Sequence, residues 1–314
     1  MMVLRSLLFV PGNSMRMITK AASLAADGII FDLEDAVPLA DKETARIMVR
    51  DSIKAVKSDR IYLFVRVNAL ITGLTAEDIQ FVAVDGLDGI LLPKAEARSD
   101  VAELDGMLEK AERAQGLKTG IFQIIPLVET AKGVINAYEI ATASQRIVAV
   151  GFGAGDFYRD MGRSASFLTP EQTELLFARS QTVIASRAAG LSALDTAFFG
   201  LLTDREGFER EALIALQLGF KGKMLIHPTQ IEIANRIFSP SPEEAAEARK
   251  VVAAFEEAQS RGLGAVSFEG KMIDIMSYRQ AKDLVNFVDF IAEREKTAQR
   301  NTSVSIFRFF SSNP

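Results

Sequence analysis

The sequence has no cysteine and a single histidine, His227, in 314 residues. Without cysteine, disulfides, thiolate nucleophiles and thiolate metal sites are excluded. With one histidine, any site that needs two from one chain is excluded, the three-histidine zinc site and the HExxH helix included. Basic residues are slightly outnumbered, 36 against 41 acidic, for a net charge of −5. A nucleic-acid binder carries a basic excess or a basic stripe, and this chain has neither. Long apolar runs are missing too. The run Leu7–Val10 is shorter than the core of a signal peptide, and no stretch reaches the roughly 20 apolar residues of a membrane span. The GxGxxG fingerprint of dinucleotide-binding folds is absent after the first strand. The expectation from these absences is an unexported protein of the reducing cytoplasm that binds neither membrane nor nucleic acid.

What is present is an ordinary globular composition, 48% hydrophobic and 25% charged, unlike that of a disordered chain. Short runs rich in Ile, Val, Leu and Phe cover 4–10, 28–33, 61–67, 87–92, 121–128, 146–152, 191–199 and 220–226. Segments of helical period lie between them, near 14–26, 41–57, 75–83, 99–115, 131–143, 170–189 and 204–218, and a short eighth helix follows Pro228. Alternation of this kind implies parallel βαβ units, and runs without a polar residue at every second position suit strands buried on both faces. Eight such units predict a closed (β/α)8 TIM barrel over residues 1–236, in preference to an open doubly wound sheet. Beyond it, Ser239-Pro-Ser-Pro242 reads as a turn and helix start. Helices over 243–260 and about 275–296, separated by a break at 262–270, make a C-terminal helical extension (237–297). It docks on the barrel or on a neighbouring subunit, and 298–314 reads as a tail.

In such a barrel the C-terminal strand ends carry the active site. The predicted ends are Pro11-Gly12-Asn13, Asp32-Leu33-Glu34-Asp35, Arg66-Val67-Asn68, Pro93-Lys94, Glu129-Thr130, Asp156 and His227-Pro228. Carboxylates crowded on one rim repel unless a cation lies between them. A hard divalent ion with oxygen ligands, Mg²⁺ or alternatively Mn²⁺, resolves the repulsion. Glu129 and Asp156, from adjacent strands, are the best ligand pair. His227, followed by proline, reads as structural.

Eight segments in order resemble the β subunit of citrate lyase and its relatives, the malyl-CoA and citramalyl-CoA lyases of the HpcH/HpaI aldolase–citrate lyase superfamily. They are RSLLFVPGNS (5–14), GIIFDLEDAV (28–37), RVN (66–68), LLPKAE (91–96), PLVETAKG (126–133), GFGAGDF (151–157), GFKGKMLIHPTQI (219–231) and GKMID (270–274). The resemblance implies Mg²⁺-dependent cleavage or formation of a carbon–carbon bond in a 3-hydroxyacyl-CoA thioester, with acetyl-CoA or a homologue and an α-keto acid as products. It also implies a homotrimer or a hexamer of trimers. By resemblance, Glu129 and Asp156 hold the metal, and Arg66 binds the substrate oxygens and stabilises charge as the bond breaks. Glu34 and Asp35 stand near the metal. Arg16 and Lys20 contact CoA phosphates, with Pro11, Gly12 and Lys94 at the same substrate-binding rim. Asp274 is the acid/base, supplied by a neighbouring subunit; cleavage needs a proton removed from a hydroxyl and a carbanion protonated.

Two departures from the family pattern leave the substrate open: Gly155 where relatives carry Glu, and Ile275-Met276 where relatives have a nearby proline. A thioesterase using the same site, or a citrate lyase β subunit active only on a carrier-bound acyl group, stand as alternatives. The keto-acid aldolases that use a histidine base after the second strand do not fit, because Asp35 stands in that region.

Overall fold

The computed structural model describes residues 2–163, 169, 171–268 and 270–311. Eight parallel strands close a barrel in sequential order, with the first paired to the eighth. They are β1 (Ser6–Pro11), β2 (Gly28–Asp32), β3 (Tyr62–Arg66), β4 (Gly89–Leu92), β5 (Gln123–Val128), β6 (Ala149–Phe152), β7 (Ser192–Asp195) and β8 (Gly222–Leu225). Each lies inside one of the eight apolar runs, apart from Pro11, one residue past the first. The seventh run is cut most, because residues 196–199 leave the sheet and turn across the rim.

The helices outside the sheet are α1 (Met15–Ala22), α2 (Lys42–Val56), α3 (Thr75–Val82), α4 (Arg98–Ala114), α5 (Ala131–Ile135), α6 (Ala137–Ala141), α7 (Ala154–Asp160), α8 (Leu176–Ala188), α9 (Arg205–Leu218) and α10 (Ile231–Ile237). Two depart from the sequence reading. The helix expected over 131–143 breaks at Asn136, whose side chain donates to the Glu96 carbonyl. The helix α7 was not expected, since glycine is a poor helix former and Gly153-Ala-Gly155 opens it.

Strand alternation sorts the side chains. Leu7, Ile30, Phe64, Leu91, Ile125, Leu127, Leu194 and Met224 fill the barrel interior. Their neighbours Leu8, Ile29, Val65, Ile90 and Ile124 pack outward under the helices. The same alternation continues upward: Asp32 follows Ile30, Arg66 follows Phe64, and Glu129 follows Leu127. Polar side chains therefore cap the interior stack at the C-terminal rim.

An ion network lies behind the β7–β8 seam. Lys223, fully buried, donates to Asp195 at 2.6 Å and to Glu211 of α9 at 2.5 Å. Arg179 of α8 donates twice to Asp195, at 3.0 and 2.9 Å. Burial alone would raise the Asp195 pKa, but the charges of Lys223 and Arg179 outweigh it and hold the carboxyl below its ordinary value.

The chain divides into two compact units, residues 2–238 and the segment from Ser239 onward. In the second, α11 (Pro242–Ser260) opens on a capping box made by Ser241 and Glu244. It packs against α12 (Ile275–Ser311) through Ala248, Val252, Ala281 and Val285. The segment read as a break holds the first strand of a hairpin, β9 (Val266–Phe268), which pairs with β10 (Lys271–Ile273) just beyond it, with Gly270 between them at a φ of 78°. The segment read as a tail continues α12 as far as Ser311. Among the described residues no helix is long and apolar enough to cross a membrane.

Candidate active site

A pocket of about 560 Å³ opens at the C-terminal rim, lined by residues from β1, β2, β3 and β5 through β8 and the loops that follow them. Arg66 is its central cation. Its Nε and Nη2 donate to the two carboxylate oxygens of Asp32 at 2.8 and 2.6 Å, a paired contact that fixes the guanidinium plane. Its Nη1 lies 3.2 Å from Glu34, and Asp35 stands 3.9 Å away, largely exposed. The Phe9 ring lies against the guanidinium, its centroid 4.8 Å from Cζ. Burial would lower the Arg66 pKa, but Asp32, Glu34 and Glu129 outweigh it and keep the group charged.

Asp32 also accepts the backbone N–H groups of Glu34 and Ala36. Those bonds and Arg66 overcome the burial that would raise its pKa, and keep it ionised. Behind the same loop, Lys42 donates to the carbonyls of Leu33 and Glu34. The loop is thus pinned from both sides.

Lys94 is the second cation. Its backbone is in the left-handed region, with φ at 51°, a conformation that a non-glycine residue holds only when its surroundings impose it. That turn aims its N–H at Glu129 Oε1, 2.7 Å away, while its Nζ reaches Glu34 at 2.5 Å and lies 3.3 Å from Asp156. Asp156 sits in the first turn of α7, where the helix dipole favours an anion, and also pairs with the exposed Arg159.

Two buried or half-buried cations, Arg66 and Lys94, therefore face four carboxylates, Asp32, Glu34, Glu129 and Asp156. The imbalance appears in the pKa values. Burial, then repulsion from Glu34 and Asp156, pushes Glu129 up to about 8. Burial also raises Glu34, against the pull of Arg66 and Lys94. Its Oε2 is buried and faces Arg66 Nη1 at 3.2 Å as an ion pair, without a hydrogen bond. At Gly153 a Cβ would come within 2.3 Å of Glu129 Oε2, so only glycine leaves that carboxylate its place. This donor set of oxygens, excess in negative charge, fits a hard divalent cation. No group of three or more acidic or histidine side chains among the described residues is arranged to hold a metal alone. Mg²⁺ uses one or two protein carboxylates and completes its shell with water and substrate oxygens.

The structure thus gathers Arg66, Lys94, Glu34, Glu129 and Asp156, with Asp35 at the edge. Pro11 lines the pocket, and Gly12 is packed so that a Cβ would meet the Asp32 carbonyl at 2.8 Å. Arg16 and Lys20 are exposed on α1, the helix leaving the same rim. Asp274 belongs to the C-terminal unit, where it is exposed and caps α12. It accepts from the Ser277 N–H and hydroxyl, which hold its pKa down. His227 caps the turn after β8 by accepting from the Thr229 N–H. Sequence reading did not single out Lys42, Thr196 or Phe199, while it placed Asp32 only within the Asp32–Asp35 cluster that pairs with Arg66 and orients its guanidinium. The two-residue step from Ile30 marks Asp32 as inward-facing.

The model of the HpcH/HpaI aldolase/citrate lyase family matches residues 5–228, the whole barrel through β8. The chain belongs to that family. It is 42% identical over 270 residues to the citrate lyase subunit beta of Leuconostoc mesenteroides subsp. cremoris, covering 86% of this chain and 88% of that one. It is 36% identical to an L-malyl-CoA/beta-methylmalyl-CoA lyase of Cereibacter sphaeroides over 306 residues, covering 92% and 95%. The solved structure of protein CitE from Mycobacterium tuberculosis in complex with magnesium, acetoacetate and coenzyme A superposes with a TM-score of 0.69 at 34% identity, covering 90% of this chain and 96% of that one. The chain is accordingly a carbon–carbon lyase of this family. The matched residues contain every member of the pocket cluster and stop short of Asp274.

Proposed function

We propose that this protein cleaves, or in reverse forms, the carbon–carbon bond of a short 3-hydroxyacyl-CoA thioester, with Mg²⁺ held by Glu129 and Asp156. The observation that carries the reading is the convergence of a paired arginine and an uncompensated carboxylate cluster on one barrel rim, in a chain of this lyase family. Support comes from the solved relative in complex with magnesium and coenzyme A. When bound, Mg²⁺ would supply Lewis-acid stabilisation of oxygen charge.

The chain's own groups do the rest. Cleavage removes the proton from the C3 hydroxyl, breaks the C2–C3 bond and leaves the electron pair on C2 as a thioester enolate. C3 becomes the keto carbon, and C2 is then protonated. Arg66, held in plane by Asp32, offers its remaining donors to the oxygen and carboxylate of the keto-acid half. Lys94, anchored by Glu34, holds Glu129 through its backbone N–H and Asp156 through its ammonium. Arg16 and Lys20 meet the CoA phosphates at the rim. Asp274 of a neighbouring copy carries the proton, which makes the working unit an oligomer, a trimer or a hexamer.

Incubating the purified protein with acetyl-CoA or propionyl-CoA and, in turn, glyoxylate, pyruvate and oxaloacetate tests this. A Mg²⁺-dependent acyl-CoA adduct seen by mass spectrometry, and lost on chelation, is the expected result. Thioester consumed only by hydrolysis would replace the reading with a thioesterase. No change at all would replace it with a subunit that acts on a carrier-bound acyl group.

A further inference from the structure

The ring of eight places β7 four strands from β3, so the wall built by β7 and β8 stands across the pocket from Arg66. Among the described residues, that wall lines the pocket with no charged side chain. Thr196, Ala197 and Phe199 follow β7, and Met224 and Ile226 come from β8 and just beyond it. Thr196 is its polar member, its Oγ1 accepting from the Ala154 N–H at 2.9 Å.

The Phe199 ring is 45% exposed and rests on Gly155: a Cβ at 155 would come within 2.9 Å of the ring Cζ and 3.1 Å of Cε1. The missing side chain at 155 is therefore the space the ring occupies. On the far side, the buried cations are already engaged, Arg66 by Asp32 and Lys94 by Glu34 and Asp156. Arg159 is engaged by Asp156 and is mostly in water. One substrate carboxylate can be met at the Arg66 side. A second, directed at the Phe199 wall, would lose its hydration without gaining a cation, which is strongly unfavourable.

We propose that Phe199, seated on Gly155, is a specificity-determining residue that limits the keto-acid half of the substrate to a short 2-keto monocarboxylate and rejects one with a second carboxylate. This inference rests on the lyase reading above and deepens it. It separates the two kinds of relative, since the chain resembles both a citrate lyase subunit and a malyl-CoA lyase.

The test is calorimetric binding of glyoxylate, pyruvate and oxaloacetate, with Mg²⁺ present, to the full chain and to Phe199→Ala and Phe199→Arg, alongside turnover with acetyl-CoA. Wild type should bind glyoxylate or pyruvate at least about tenfold tighter than oxaloacetate. Phe199→Arg, which brings a cation to the wall, should shift that ratio toward oxaloacetate by about tenfold or more. Phe199→Ala should shift it less. Phe199 is partly exposed, so the variants should keep the wild-type circular dichroism spectrum and melting temperature. Oxaloacetate binding as tightly as pyruvate in wild type, or an unchanged ratio in Phe199→Arg, overturns the specificity assignment and leaves the lyase reading standing. The expected binding preference without any carbon–carbon product overturns the lyase reading and supports the assignment of Phe199. Binding of none of the three overturns both.

Discussion

Glu129 combines full burial, one backbone donor and two carboxylate neighbours, so its protonation and its metal should be alternatives. In an unfolded chain its carboxyl releases its proton near 4.5, and in the folded, metal-free protein at about 8. Between those values the folded state binds more protons than the unfolded state, so this group makes stability fall as pH rises. Mg²⁺ needs the carboxylate, so its binding should release a proton and tighten as pH climbs toward 8. Titration calorimetry with Mg²⁺ in buffers of different ionisation heat measures that release, and melting curves with and without Mg²⁺ should diverge as pH rises. Glu129→Ala should leave the fold intact and abolish metal-dependent turnover; retained Mg²⁺-dependent activity would remove the metal assignment. Asp32 calls for a different outcome, because it touches Arg66 and not the ligand pair. Asp32→Asn should lower turnover by about ten- to a hundredfold while Mg²⁺ binding is kept, a split that steady-state kinetics and calorimetry together would resolve.

At the scale of elements, the β7–β8 seam is a stability feature and not part of the rim chemistry. Lys223→Met would leave Asp195 and Glu211 buried without their shared ammonium. Breaking a buried pair from one side costs about 3–5 kcal/mol. Thermal denaturation should show a fall of roughly 10 °C, while the kinetics of the surviving folded protein stay near wild type. The eight strands and most helices were legible because doubly buried strands write long apolar runs and amphipathic helices write a 3.6-residue period. What was not legible has local causes. The first turn of α7 hides among glycines, and its helical state is imposed by packing that buries Ala154, Phe157 and Tyr158. Strands β9 and β10 are three residues each, too short to show a period. In the candidate site, rim acids and bases could be read from strand ends. Phe199 could not, because its place depends on Gly155, which is distant in sequence. Lys42 was hidden for another reason: it acts on backbone carbonyls, which leave no trace in residue pattern.

At the scale of the whole molecule, Asp274 lies outside the family-matched residues, in the second compact unit, and the role proposed for it makes a prediction about assembly. Asp274→Asn should reduce turnover more than substrate binding. If Asp274 serves a neighbour's pocket in a ring, mixing inactive Glu129→Ala with inactive Asp274→Asn should restore activity after subunit exchange, to roughly a quarter of wild type. Each site then needs an intact Glu129 from one copy and an intact Asp274 from the next. No recovery on mixing would place both residues in one chain's own site, or remove Asp274 from the chemistry.

The ion network behind the β7–β8 seam constrains how such a molecule can change over generations. Asp195, Lys223, Glu211 and Arg179 answer one another's charge in a place that water does not reach. No member can be exchanged alone without stranding the others, so an acceptable replacement has to arrive as a set. Phe199, a few residues above Asp195, has no such bond to its neighbours and rests on a glycine by shape alone. Lineages of this barrel would therefore inherit the seam as a block and vary the rim one residue at a time, so that a new substrate can be tried without risking the ring that presents it.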